Sequence, residues 1–147
     1  MAVVSRYVVA LHILSWIAQK TEDNNNFVTS DRIAESVNTS PVFIRRILKS
    51  LHNANLVIVQ HGGTTPGWQL ARHADSITLR DVYEAVVEKP LFELHHSPPN
   101  PKCLIGNGIQ PALNPILTKS ELAMKHELEQ VTVSSLLHDT LAKNPQS

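Results

Sequence analysis

Cysteine is nearly absent: Cys103 is the single thiol among 147 residues. That excludes an internal disulfide and fits a reducing cytosol, so a cytoplasmic protein is expected. It also denies the chain the several thiolates of a structural zinc or iron–sulfur site. Aromatic residues make up 5% of the sequence, which suits a mostly helical protein better than a barrel or sandwich. No apolar run approaches the ~20 residues that span a bilayer. The opening Met1-Ala-Val-Val-Ser-Arg6 lacks the basic, apolar, then small-residue order of a secretory signal. Enzyme signatures are missing too: there is no phosphate-cradling glycine loop, no nucleophile elbow and no HExxH. Glu84 and Glu88 lie one helical turn apart, as on any solvated helix. The chain is therefore read as non-enzymatic, with no membrane partner. Its length allows one domain with a real core, or a small domain plus an oligomerisation element.

Acids are missing from one stretch. Lys plus Arg and Asp plus Glu both total 13, for a formal net charge of zero. Residues 36–74 nevertheless contain Arg45, Arg46, Lys49 and Arg72 and no Asp or Glu. His52, His61 and His73 fall in the same stretch. From residue 74 onward nine acids face six Lys or Arg. A basic segment in a neutral protein is the footprint expected where phosphates dock; a solvated face short of acids by chance is the plainer reading.

Hydrophobic spacing divides the chain. Val4, Val8, Leu11, Leu14 and Ala18 recur at helical spacing and predict a first amphipathic helix, ended by the polar loop 20–26. A second helix follows Val28, capped by Thr29 or Ser30, with Asp31 in its first turn and Ile33, Ala34 and Val37 inward. After the short turn Asn38-Thr39, Ser40 as N-cap and Pro41 at the first helical position start a third helix, which runs to about Asn53. On it Ile44, Ile47, Leu48 and Leu51 form one face, while Val42, Arg45, Arg46, Lys49 and Asn53 form the other. Two short helices joined by a tight turn, the second basic outside, make a helix-turn-helix candidate. Residues 56–60 and 68–72 read as strands flanking the turn-rich 61–67, a hairpin placed as a wing. Residues 77–87 form a further helix, capped by Thr78 with Asp81 three residues on; Leu79, Val82, Tyr83 and Val86 face inward. Residues 91–108 read as an irregular segment. Helical spacing resumes over 109–130, where Leu113, Ile116, Leu117, Leu122 and Leu128 are apolar. There, either Pro115 kinks one helix or a new helix starts at Thr118 with Glu121 completing a capping box. A last short helix covers 132–142. The expected class is mostly α with a small β-hairpin, divided into a winged helix-turn-helix over 1–90, a variable and candidate sensor loop over 91–108, and a helical region over 109–147.

This order resembles the Rrf-two family of bacterial transcription regulators. The residues that carry the resemblance are Ser5-Arg-Tyr7, Ile33-Ala-Glu-Ser-Val37, the run from Ser40 to Leu48, Leu56-Val57, His61-Gly-Gly63, Trp68-Gln-Leu-Ala71 and Ile77-Thr-Leu-Arg-Asp-Val82. It covers nearly the whole chain and is specific as far as about Val87. It implies a homodimer joined by a long C-terminal helix. It also implies that the second helix of the motif enters the major groove of double-stranded DNA, with the wing near the minor groove. Several members bind an iron–sulfur cluster through three cysteines in the loop before the long helix. This sequence keeps only Cys103 there, so it resembles the cluster-less, YwnA-like branch, and no cofactor is expected.

Arg45, Arg46 and Lys49 are the leading candidates. Arg can fork onto guanine O6 and N7, worth ~1–3 kcal/mol of discrimination, while Lys more often meets phosphate. Ser40, with the backbone N–H groups after Pro41, at Val42 and Phe43, makes a helix N-terminus suited to phosphate; plain capping is the alternative. Thr29 joins them at the preceding helix start. Ser5, Arg6 and Tyr7 are candidates for a second phosphate anchor, against a frayed terminus. His61, Gly62, Gly63, Thr64 and Thr65 at the wing tip reach for the backbone or minor groove, or form an ordinary turn. Family wings often carry Arg here, and His61 is a weaker cation. Cys103 is a redox candidate through sulfenic acid or an intersubunit bond; its plainer reading is a small buried residue where the loop meets the long helix. His95, His96 and Cys103 give only a weak metal pattern. Trp16, Trp68 and Phe92 line a pocket or, more simply, pack in the core. The functional expectation is a homodimeric repressor responding to an unidentified small-molecule or redox signal; the alternatives are a winged-helix protein-interaction module and a thiol or metabolite sensor acting through Cys103.

Overall fold

The structure is a computed structural model that describes residues 3–21 and 26–144. The element order is α1 (Val3–Thr21), α2 (Ser30–Val37), α3 (Pro41–Asn53), β1 (Val57–Gln60), β2 (Gly67–Leu70), a 3-10 turn (Ala74–Ser76), α4 (Leu79–Val86), α5 (Leu104–Glu129) and α6 (Val133–Ala142). It is mostly helical with one two-stranded antiparallel hairpin. Most of the polar loop expected over 20–26, residues 22–25, lies outside the described residues, as does the side chain of Val4.

Local chemistry sets the start of each helix. Thr29 caps α2, its hydroxyl accepting from Arg32 N at 3.3 Å. Ser40 caps α3, accepting from Phe43 N at 3.2 Å, with Pro41 opening the helix. The turn between them closes on Asn38 in the left-handed region (φ 62°), whose N–H bonds Ala34 O and Glu35 O; asparagine tolerates that conformation better than most residues. Thr78 and Asp81 form the expected reciprocal capping box on α4, both bonds at 3.0 Å. Thr132 and Ser135 form a second box on α6.

One core unites these elements. Ile44, Ile47, Leu48 and Leu51 of α3 are buried, as are Leu79, Val82, Tyr83 and Val86 of α4. Those are the faces the spacing predicts. The face of α1 differs. Tyr7, Ala10, Ile13, Leu14, Ile17 and Ala18 are buried, whereas Val8 is 58% exposed and Leu11 only half-buried. The helix is apolar nearly all round, so periodicity alone does not choose the inward side. Tyr7 stands edge-on to Tyr83, ring centroids 5.4 Å apart, and its hydroxyl donates to Leu79 O at 2.7 Å.

The hairpin pairs Val57 with Leu70, Ile58 with Gln69, Val59 with Trp68 and Gln60 with Gly67. Val28 adds a one-residue third strand: Val28 N donates to Trp68 O at 2.9 Å and Trp68 N to Val28 O at 2.7 Å. Gly67 (φ 140°) makes this approach possible, since a Cβ there would fall 2.3 Å from Val28 O.

The long helix begins at Leu104, five residues earlier than the 109 expected, and runs unbroken through Pro111 and Pro115. No new helix starts at Thr118. Glu121 does not cap; its Oε1 accepts from Tyr83 OH (3.1 Å) and Leu91 N (2.9 Å). Burial and this carboxylate push the Tyr83 hydroxyl up to about 12. Lys125 pairs with Glu84 (3.1 Å) and Arg80 with Glu129 (3.3 Å), fixing the C-terminal half of α5 to α4. The chain then returns: Val133 N donates to Ile77 O at 2.9 Å, and its side chain is fully buried in the core.

Candidate nucleic-acid interface

The outer face of α3 carries the basic residues. Arg45, Arg46 and Lys49 are exposed, and Val42 is 51% exposed beside them. Among the described residues none of the three cations pairs with a carboxylate. Unneutralised guanidinium and ammonium groups beside an exposed apolar side chain can meet phosphates, base acceptors and a thymine methyl. The inner face of α3 is held by the core, so the outer face is displayed on a rigid element.

A cleft of about 340 Å³ joins the start of α2, α3 and the wing, and its walls include Thr29, Ser30, Arg45, His61 and Gly62. Arg45 Nη1 donates to Ser30 Oγ at 3.3 Å. Thr29, Arg45, His61 and Gly62 are thus brought together across three elements. Gly62 (φ 75°) and Gly63 (φ 78°) shape the exposed wing tip, with Thr64 and Thr65 exposed beyond them.

The N-terminal trio divides. Ser5 is exposed. Arg6 is half-buried and its Nη2 donates to Ser50 Oγ on α3 at 2.8 Å, so it ties α1 to the back of the basic helix. Tyr7 is a correction: it is buried and its hydroxyl proton, which burial holds in place by raising the pKa, is spent on Leu79 O, so it has no free donor to offer a phosphate. Ser30 and Val28 were missed as site-building residues. Ser30 read as an alternative cap, and a one-residue bridge leaves no sequence pattern.

Cys103 is the N-cap of α5, makes no side-chain cap bond and is exposed, which replaces the buried reading of this residue. The donor set there does not fit an iron–sulfur cluster. The chain has one cysteine, and the described residues contain no group of three His, Cys, Asp or Glu able to hold a metal. His95 Nδ1 instead lies 3.0 Å from Gln110 Nε2. Trp16 is half-buried under Lys20 and Arg32, ring-centroid distances 5.7 and 5.5 Å. Trp68 lines the wing cleft, and Phe92 lines a separate hollow beside α5.

A helix-turn-helix whose second helix displays an unneutralised basic face, followed at once by a hairpin, defines a winged-helix DNA-binding protein. Residues 3–139 match the family model described as "Rrf2: Iron-dependent Transcriptional regulator". The chain is 36% identical over 135 residues to YwnA of Bacillus subtilis (strain 168), named among HTH-type transcriptional regulators, covering 91% of this chain and 96% of that one. A crystal structure described as a DNA-binding protein superposes with a TM-score of 0.71 at 34% identity, covering 90% of this chain and 98% of the other. T. potens IscR shares the fold at 18% identity, with a TM-score of 0.71, covering 100% and 94% of the two chains. The chain belongs to the Rrf2 family, DNA-binding transcriptional regulators rather than enzymes. Among the described residues no helix is long and apolar enough to cross a membrane.

Proposed function

We propose that the chain acts in the cytoplasm as a homodimeric, sequence-specific repressor, with α3 in the major groove and the wing against the adjacent backbone. The carrying observation is the outer face of α3, where Val42, Arg45, Arg46 and Lys49 are exposed and, among the described residues, no carboxylate pairs with the cations. Arg45 and Arg46 are assigned to base edges or phosphates, and Lys49 to phosphate. Ser40 and the N–H groups that open α3 meet the backbone, as Thr29 does at α2. His61, Gly62, Gly63 and Thr64 meet the flank; Ser5 and the remaining donors of Arg6 are assigned to a further phosphate.

The dimer reading is supported by α5. Ile105 and Ile116 are 73% and 60% exposed and share a helix face with Ala112 and Ala123, opposite the side that packs on α4. Such a strip suits a self-complementary two-fold seam. Two-fold symmetry then sets half-sites about one turn, ~10 bp, or a multiple apart. A dimer covering both half-sites occludes the duplex, the simplest physical basis for repression.

Duplex fragments selected from genomic DNA supply the test sequence. Arg45→Ala with Lys49→Ala removes about four charge contacts per dimer, so the salt slope of log K should shallow by about 2–4. Unchanged affinity and slope on the selected fragment would sink the assignment of α3. A salt-independent wild type would instead favour a protein-interaction module.

A further inference from the structure

A second cavity lies away from the basic helix. It has a volume of about 430 Å³ and sits where the end of α1, the wing and α6 converge. That is within the roughly 300–1,000 Å³ of small-molecule sites. Its apolar lining comes from Ala18, Phe27, Ile58, Leu70, Ala74 and Leu137.

The polar groups in the wall are mostly spent. Thr21 Oγ1 donates to Ile17 O at 2.6 Å. Gln69 Nε2 donates to Asn26 O at 3.1 Å, and its Oε1 accepts from Leu70 N at 3.2 Å. Arg72, the permanent cation of the lining, donates from Nε to Ser76 O (3.2 Å) and from Nη2 to Asp81 (2.8 Å). His73 Nδ1 faces Asp75, 2.8 Å from its carboxylate. Among the described residues no carboxylate lines the cavity. Ser134 is the exception: it is half-buried in the wall, and its hydroxyl makes no hydrogen bond among the described residues.

We propose that this cavity is an effector site for a neutral molecule with a largely apolar body and one hydrogen-bonding group, which meets Ser134. Among the described lining residues an anion would find the one fixed cation, Arg72, already paired, and a cation would find no carboxylate. An apolar body gains by covering Ile58, which is 43% exposed, and the half-buried Leu137. Because Ile58 and Leu70 belong to the wing while Ser134 and Leu137 belong to α6, an occupant fastens the wing to the helix that follows α5. It thereby changes the free energy of wing placement on DNA. That consequence rests on the DNA reading above; occupancy itself does not.

Occupancy is tested without DNA, using the neutral fluorescent amine N-phenyl-1-naphthylamine. The full chain should bind one dye per chain saturably. Leu137→Trp and Ser134→Phe each fill the cavity and should weaken binding at least about tenfold, with helical circular dichroism unchanged. Ile116→Glu, on the exposed strip of α5, should leave it intact. In the wild type, amide exchange should slow at residues 69–70 and 134–137 when dye is bound, a readout that needs no variant. Absence of saturable binding, protection confined to α5, or loss in Ile116→Glu with retention in folded Leu137→Trp or Ser134→Phe would each overturn the proposal.

Discussion

Gly67→Ala is expected to detach the wing from the start of α2. The added Cβ would fall 2.3 Å from Val28 O and 2.6 Å from Val28 C. Both are backbone atoms, so no side-chain rotation relieves the clash. The φ of 140° adds the conformational cost of a region reserved for glycine, roughly 1–3 kcal/mol. If the strand shifts away, the two Val28–Trp68 bonds at 2.9 and 2.7 Å are lost, at about 0.5–1.5 kcal/mol each. The terms overlap, and a net loss of about 3 kcal/mol is expected, or roughly 6–12 °C in Tm for a chain of this size. Two glycines of the same hairpin supply controls. A Cβ added at Gly62 would have no atom within 4 Å, and one at Gly63 would meet only the flexible end of Gln60 at 3.3 Å. Alanine at either costs only the left-handed backbone penalty, about 1–2 kcal/mol. Urea unfolding of the three variants, with amide exchange at residue 28, makes the measurement. Equal losses at the three positions would refute the argument that Val28 holds the wing.

Three further outcomes follow from other parts of the molecule. Pro115 is exposed inside α5 and cannot donate to the carbonyl one turn back; Pro115→Ala should raise stability by about 1–3 kcal/mol and slow amide exchange over 108–118, whereas a destabilised variant would mean that the proline geometry is required. His12 Nε2 lies 2.9 Å from Ser36 Oγ and burial lowers its pKa, so the unfolded chain takes up this proton at higher pH than the folded one. Its contribution is complete above the ordinary imidazole range and declines as pH falls through it; the stability gap between wild type and His12→Gln should therefore shrink from about pH 8 to about pH 5, and a constant gap would refute the coupling. Ile116→Glu should shift the light-scattering mass of the chain from dimer toward monomer while leaving α1 to α4 folded; a dimer undiminished at micromolar concentration would remove α5 from the seam.

Sequence pattern served well where one side of a helix is apolar and the other is not. The buried faces of α3 and α4, and the caps Thr29, Ser40 and Thr78, were legible for that reason, and the basic outer face of α3 came with them. It served poorly where that contrast is missing. In α1 both sides are apolar, so Val8 looked inward although Tyr7 and Ala10 hold the core. The start of α5 was hidden because Gly106 and Gly108 resemble loop residues. Gly106 is instead required: a Cβ there would meet Asn100 O at 2.5 Å, where the preceding turn folds against the helix. The cleft beside α3 was only half visible, because the contacts of Ser30 with Arg45 and Val28 with Trp68 join residues far apart in the chain.

The burial of Val133 has a bearing on how the molecule is made. Leu79 N donates to Val131 O and Val133 N to Ile77 O, both at 2.9 Å, so the stretch that begins α4 finds its backbone partners only after the whole of α5 has been synthesised. During translation the winged-helix segment therefore emerges with one wall of its core unsealed and two backbone groups still hydrated. A contact this distant in sequence makes the finished core a late and cooperative event. A nascent chain halted within α5 holds the complete basic helix yet lacks the strand-like clasp that stiffens its support, and it should engage DNA only weakly until residue 133 arrives.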